Sequence, residues 1–224
     1  PCMLSVNPIG RVSCQNSSSL QLVMLISRLR QDLCVDYANT RFWRGRTVAT
    51  ETLHTFADLL RWLEASAGMD AQPLREVAGW ARDEPKAAVR SLGEALHLRE
   101  VLYRIFGALA ADKPAPQRDI AALQKALAAA PARNRLTVSA SIYGWEMSEP
   151  RRSVPHLLAP VLWSAGDLIT GAARGRLRRC ANDACLWLFL DDSKNATRRW
   201  CAMASCGNRA KARRHYLKVT RAQV

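Results

Sequence analysis

The sequence predicts a mainly α protein with minor β structure: a helical N-terminal domain followed by a small C-terminal unit organised by cysteines. Three observations carry this. Apolar residues recur at three- and four-residue steps over most of residues 50–170, four of the seven cysteines fall between positions 180 and 206, and positive charge is concentrated in residues 171–224. With 224 residues, 49% of them hydrophobic, the chain is long enough for one core-bearing domain plus an appendage and does not have a disordered composition.

The formal net charge of +14 is unevenly placed. Residues 171–224 hold 13 Lys/Arg against 3 acids, leaving only +4 for the first 170 residues. The tail is expected to meet a polyanion, and charge alone does not separate nucleic acid from an anionic membrane. The longest early apolar stretch, 20–26, is interrupted by Gln21 and followed by Arg28 and Arg30, too short to span a bilayer. It also lacks the order of a basic leader, an apolar segment and a small-residue cleavage site. The expectation is a cytoplasmic protein with no membrane partner, nucleoid-associated if it binds DNA. In a reducing compartment, clustered cysteines point to metal or catalysis rather than to disulfides.

Residues 1–30, with a polar run at 15–19, are expected to be a poorly ordered extension. Residues 31–172 form the helical domain. Within it, 33–40 alternates apolar and polar side chains and reads as a short strand, with Phe42 and Trp43 just beyond. Leu53, Phe56, Leu60 and Leu63 place a helix over 51–67, capped by Thr50 or Thr52 and stopped by Gly68. Further helices are expected over 73–80, 87–110, 119–130 and 155–170; the second, striped with Leu92 to Leu109, is the buried centre, and Pro114 and Pro116 break the chain after it. Residues 136–147 turn β-branched and aromatic, which predicts a hairpin with Gly144 at its turn or bulge.

Residues 173–224 form the C-terminal unit. The spacing is Cys180-x4-Cys185, fifteen residues, then Cys201-x4-Cys206. Two close pairs can each fill two corners of a tetrahedron, so one structural zinc ion is expected, with no coordination position left for catalysis. Local disulfides or unconnected thiols fit the spacing and compartment less well, and neither pair has the two-residue spacing of a redox dithiol. Residues 186–190 offer a strand and small core, and 191–195 a turn. A unit this small needs metal for most of its folding free energy, on the order of 10 kcal/mol.

A basic helix is expected over 207–218. Lys211, Arg214 and Lys218 recur at helical steps with Arg209 and Arg213 beside them, and the metal would bring Arg198 and Arg199 close. These seven residues are the candidate nucleic-acid contacts. The rival is a solvated basic face; a membrane-surface helix would need large apolar residues opposite the charges. Asn208 reads as a helix-start residue rather than a base reader.

The run from Cys180 to Tyr216, with Cys185-Leu186-Trp187-Leu188-Phe189-Leu190-Asp191, Arg198-Arg199-Trp200-Cys201 and Cys206-Gly207-Asn208-Arg209, resembles the CGNR zinc finger, whose name spells residues 206–209. Leu33-Cys34-Val35-Asp36-Tyr37-Ala38-Asn39-Thr40, Leu59-Leu60-Arg61-Trp62-Leu63 and Leu98-Arg99-Glu100 resemble the ABATE domain that accompanies this finger in bacterial proteins. Together they cover roughly 30–218. The resemblance implies a stress-induced transcription regulator with a ligand-binding helical domain and a treble-clef-like, DNA-binding finger. It assigns the zinc to Cys180, Cys185, Cys201 and Cys206.

In the helical domain Asp36, Asn39 and Arg99 are candidates to line a ligand pocket, although capping or bridging roles suit them equally. Trp43, Trp62 and Trp80 read as core or pocket wall. His54, His97, His156 and His215 cluster with no acid or cysteine, and no phosphate loop, nucleophile elbow or carboxylate pair appears, so no catalytic residue is expected. The expected function is a DNA-binding regulator modulated by a small ligand. RNA is the alternative partner, ahead of an enzyme or a protein-interaction module; a homodimer would suit paired half-sites.

Overall fold

A computed structural model of the chain describes residues 3–6, 12–15, 24–26, 29–69, 71–139, 142–147 and 152–221. Among the described residues of the first thirty, three short strands lie where the sequence suggests no element. β1 (Met3–Val6) and β2 (Val12–Gln15) pair antiparallel, and β3 (Met24–Ile26) joins a sheet formed later in the chain.

Where alternation predicts a strand, the chain forms α1 (Leu33–Ala38). The strand expectation fails because Leu33, Cys34, Val35, Tyr37 and Ala38 are all buried, so apolar periodicity carries no information here and tertiary packing decides the conformation. Its first turn is capped from outside: the Ser164 hydroxyl accepts from the Cys34 amide at 3.1 Å and donates to the Gln31 carbonyl at 3.2 Å. β4 (Arg41–Phe42) and β5 (Thr50–Glu51) then pair antiparallel and hold the loop 43–49 between them.

α2 (Phe56–Ala67) starts later than expected, because Thr50 and Glu51 are drawn into β5 and the cap is Thr55, not Thr50 or Thr52. Thr55 and Asp58 form a reciprocal capping box, and Gly68 ends the helix in the left-handed region at φ 63°. α3 (Ala71–Asp83), α4 (Pro85–Leu109) and α5 (Gln117–Ala129) fall where periodicity places them. α4 runs through the middle of the molecule and buries Ala95, Val101, Leu102, Ile105 and Phe106.

β6 (Leu136–Ser139) and β7 (Ile142–Met147) form the expected hairpin, extended by β3 into a sheet of order β3-β7-β6. Gly144 is not at its turn. It sits within β7 opposite Thr137, and the turn at 140–141 lies outside the described residues. The single helix expected over 155–170 is divided into α6 (Val154–Leu157) and α7 (Ala159–Thr170). Pro160 in the first turn of α7 has no amide hydrogen to continue the α6 ladder, so the chain breaks at Leu158.

A 3-10 turn (Ala172–Arg176) leads to β8 (Leu177–Arg179) and β9 (Leu188–Leu190), an antiparallel pair, then to a π turn (Met203–Gly207) and α8 (Asn208–Arg221). Leu177 and Leu188 are buried in the same apolar cluster as α1, α4 and α7, so this hairpin is part of the wall of the helical domain. Among the described residues, no helix is long and apolar enough to cross a membrane.

Candidate metal centre and nucleic-acid interface

The first cysteine pair is set by the turn between β8 and β9. The Cys180 amide donates to the Trp187 carbonyl at 2.8 Å, and the Asn182 carbonyl accepts from the amides of Cys185 (2.8 Å) and Leu186 (3.1 Å). The Asn182 side chain adds a hydrogen bond from the Ala184 amide at 3.1 Å, and Leu186 takes the left-handed region at φ 56°. Both thiols therefore leave one tight knuckle.

The second pair is brought back by the expected turn after β9. The buried Asp191 carboxylate accepts from the Ser193 amide (3.0 Å), the Ser193 hydroxyl (2.5 Å) and the Arg198 amide (2.8 Å). The Ser193 hydroxyl, with those amides, holds its pKa below the usual carboxylate value. The Ala181 amide donates to the Arg199 carbonyl at 2.9 Å, tying this segment to the knuckle. A Cβ on Gly207 would stand 2.6 Å from Met203 Sδ and 3.4 Å from Trp200 Cδ1, so the turn into α8 packs closely on the Met203 side chain, with Trp200 in contact beside it. The hairpin, the two pairs and the following helix make a treble-clef-like finger.

All four sulfurs lie within 4.8 Å of one another. Cys185 Sγ is 3.7 Å from Cys201 Sγ, which is 3.8 Å from Cys206 Sγ. A tetrahedron with zinc–sulfur arms of about 2.3 Å has edges of about 3.8 Å, so the donor set fits one zinc ion. Three of the cysteines are buried and the fourth is half-buried, as a closed structural site requires. Burial pushes the Cys185 thiol up to about 12 and raises Cys201 as well. At Cys206 burial is outweighed by the Asn182 side-chain amide, 3.3 Å from Sγ, and by the neighbouring thiols, which lower its pKa. Zinc held by thiolates must displace these protons.

Phe189, Trp43, Trp187 and Trp200 pack on the cysteine cluster. Trp43 is the unexpected member. It comes from the loop between β4 and β5, and it walls the metal site rather than the core of the helical domain. That loop is strapped down at several points. The Gly45 amide donates to the Ala184 carbonyl at 3.3 Å, and a Cβ there would fall 1.6 Å from the Asp183 carbonyl oxygen, so only glycine fits. Arg44 grips both Glu100 oxygens at 2.6 and 3.1 Å, donates to the Ala38 carbonyl at 3.0 Å, and stacks 3.8 Å from the centre of the Tyr103 ring. Tyr103 in turn donates to the Leu186 carbonyl in the knuckle at 2.8 Å.

The three pocket candidates separate. Asn39 accepts from the Leu188 amide at 3.1 Å and donates to its carbonyl at 2.8 Å, acting as one rung of a sheet between α1 and β9. Arg99 is 2% exposed; it grips Glu51 at 2.6 and 2.7 Å and reaches Glu100 and Thr40. Burial would raise the Glu51 carboxyl, but Arg99 outweighs it and lowers the pKa. Both residues serve as bridges, and Asp36 lines a cleft. That cleft, about 380 Å³, lies between Gln31, Asp32, Val35 and Asp36 on one side and Trp187 to Leu190 on the other, with Asp36 paired to Arg30 at 2.6 Å.

Among the candidate nucleic-acid contacts, Arg209, Lys211 and Arg213 stand exposed on α8, and Arg199 is exposed beside Trp200. Arg198 is engaged inwardly: it donates to the Trp200 and Cys201 carbonyls, meets Asp192 at 3.3 Å and lies over Phe189. Arg214 and Lys218 lie on the backbone of α8 with side chains outside the described set. Sequence reasoning passed over Asn182, Gly45 and Arg46. The signal for the last two was the run Arg41-Phe42-Trp43-Arg44-Gly45-Arg46, aromatic residues interleaved with arginines well away from the basic tail.

Two family models match the chain. The ABATE model, described as "Putative stress-induced transcription regulator", matches residues 31–172, and the CGNR zinc finger model matches residues 176–218. A search of the curated proteins finds no match.

Proposed function

The chain belongs to the ABATE family, and from that premise we propose that it is a transcription regulator that binds duplex DNA through its CGNR zinc finger. The observation that carries this reading is the helix α8, which leaves the cysteine cluster with Arg209, Lys211 and Arg213 all exposed. Its start is fixed by zinc on Cys206 and by the Gly207 amide bonded to the Ala202 carbonyl at 3.1 Å, so the charges are presented in one orientation rather than on a frayed tail. Arginine can grip guanine with two hydrogen bonds, whereas Lys211 suits phosphate. Zinc here has a structural role, and the protein acts as a regulator rather than an enzyme.

Ligand modulation, on this reading, enters at the Asp36 cleft. A small molecule seated there touches α1 and β9 together, and so reaches the strand that follows the knuckle.

The test is binding of zinc-loaded protein to a random duplex pool across a salt series, with a chelated sample and a structured-RNA pool in parallel. Four phosphate contacts would weaken binding roughly a hundredfold for a fourfold rise in salt. Selection of duplex sites, lost on chelation, is the expected outcome. Preference for the RNA pool would transfer the same surface to RNA, and binding to neither would leave α8 a solvated face.

A further inference from the structure

The basic surface does not end with the finger. Arg46, in the loop between β4 and β5, places its guanidinium carbon 4.0 Å from the centre of the Trp43 ring, and Arg209, at the start of α8, places its own 4.8 Å from the same ring. One tryptophan thus carries a cation from each part of the molecule. Both arginines are exposed, and among the described residues neither has an ion pair with a carboxylate. Two like charges gathered on one ring repel each other, and that cost is recovered when an anion bridges them.

We propose that Arg46 is a nucleic-acid contact of the helical domain, binding the same phosphate track as Arg209, with Trp43 as the platform that orients both. The inference rests on the DNA-binding reading above and extends its footprint beyond the finger. Stacking uses the face of a guanidinium and leaves its N–H edge free, which is the edge that grips a phosphate with two parallel hydrogen bonds. The platform is rigid. Trp43 holds φ 54°, a left-handed conformation costly for a bulky side chain, and it persists because Arg44 and Gly45 are anchored on Glu100 and Ala184. Arg199 lies 5.5 Å from the centre of the Trp200 ring, so two of the three tryptophans that pack on the cysteine cluster carry arginines. A nucleic acid laid across the start of α8 would meet both Arg46 and Arg209, because the two guanidiniums share one ring.

The experiment is the salt-series titration on the full zinc-loaded protein, comparing Arg46→Gln, Arg46→Lys and Arg209→Gln with Lys125→Gln, an exposed charge on α5. Zinc content and melting temperature are measured for each, so that a misfolded variant is recognised. Arg46→Gln is expected to weaken binding several-fold and to reduce the slope of log affinity against log salt by about 0.9, the value of one phosphate contact. Arg46→Lys is expected to keep the slope, and Lys125→Gln to match the wild type. If Arg209→Gln weakens binding while Arg46→Gln leaves affinity and slope unchanged, this inference is overturned alone. If the wild-type protein binds no nucleic acid, the DNA-binding reading falls and takes this one with it.

Discussion

Arg99 shows how a residue that looks functional can be structural. Its guanidinium is buried at the crossing of α4, β5 and the end of α1, and its neighbours Glu51, Glu100 and Thr40 are placed to receive it. Arg99→Ala should cost about 3 kcal/mol, because Glu51 would lose its ion-pair partner while Glu100 keeps Arg44. Thermal unfolding checks this, and an unchanged midpoint would mean that the ion pair is worth no more than a surface one. Cys201 sits between two other sulfurs of the cluster, so Cys201→Ser should abolish stoichiometric zinc, read by metal analysis of the purified protein. Zinc retention should also fall with pH, since protons compete for the thiolates and burial favours the protonated Cys185 and Cys201. The four ligands were legible from spacing alone. Trp43 was not, because nothing local reveals that its ring walls a site formed more than a hundred residues later.

Among the elements, α2 to α5 were readable because each buries one stripe, and the short helices α1 and α6 were not. α1 is buried nearly all round, which erases the period that sequence reading depends on. α2 was displaced because three threonines precede it and only Thr55 has a carboxylate three residues on. Thr55→Ala should therefore destabilise α2 by about 1 kcal/mol, measured by denaturant unfolding. The same cap carries a pH dependence. The Thr55 amide, ahead of its hydroxyl, lowers the Asp58 pKa below its unfolded value, so the stabilisation is present above about pH 4 and is lost as pH falls through the lowered value. Asp58→Asn should flatten that limb of the stability profile; if the limb is unaffected, other carboxylates account for it. Asn39→Ala removes the rung between α1 and β9 and leaves the Leu188 amide and carbonyl buried without partners. A loss of about 1–3 kcal/mol is expected, with faster amide exchange in β9 as the local readout.

For the whole molecule, the helical domain and the finger share their packing. Leu177 and Leu188 lie in the main core, Tyr103 and Asn39 hold the knuckle and β9, and the β4–β5 loop covers the cysteines. Removing zinc should therefore disturb more than the finger: chelation is expected to lower the melting temperature of the entire chain and to move the emission of Trp43, Trp187 and Trp200 together. Two separate transitions would show that the two parts are only loosely joined. The family resemblance divides the chain into consecutive parts, and sequence offered no sign that they interlock, since the contacts responsible join positions such as Asn39 and Leu188 that are distant in the chain. Gly45 sets the final consequence. A finger whose floor is completed by a loop from elsewhere, at a position where one added methyl group has no room, is not a portable cassette. Excised, or grafted behind a different partner, it would lack one side of its own metal chamber.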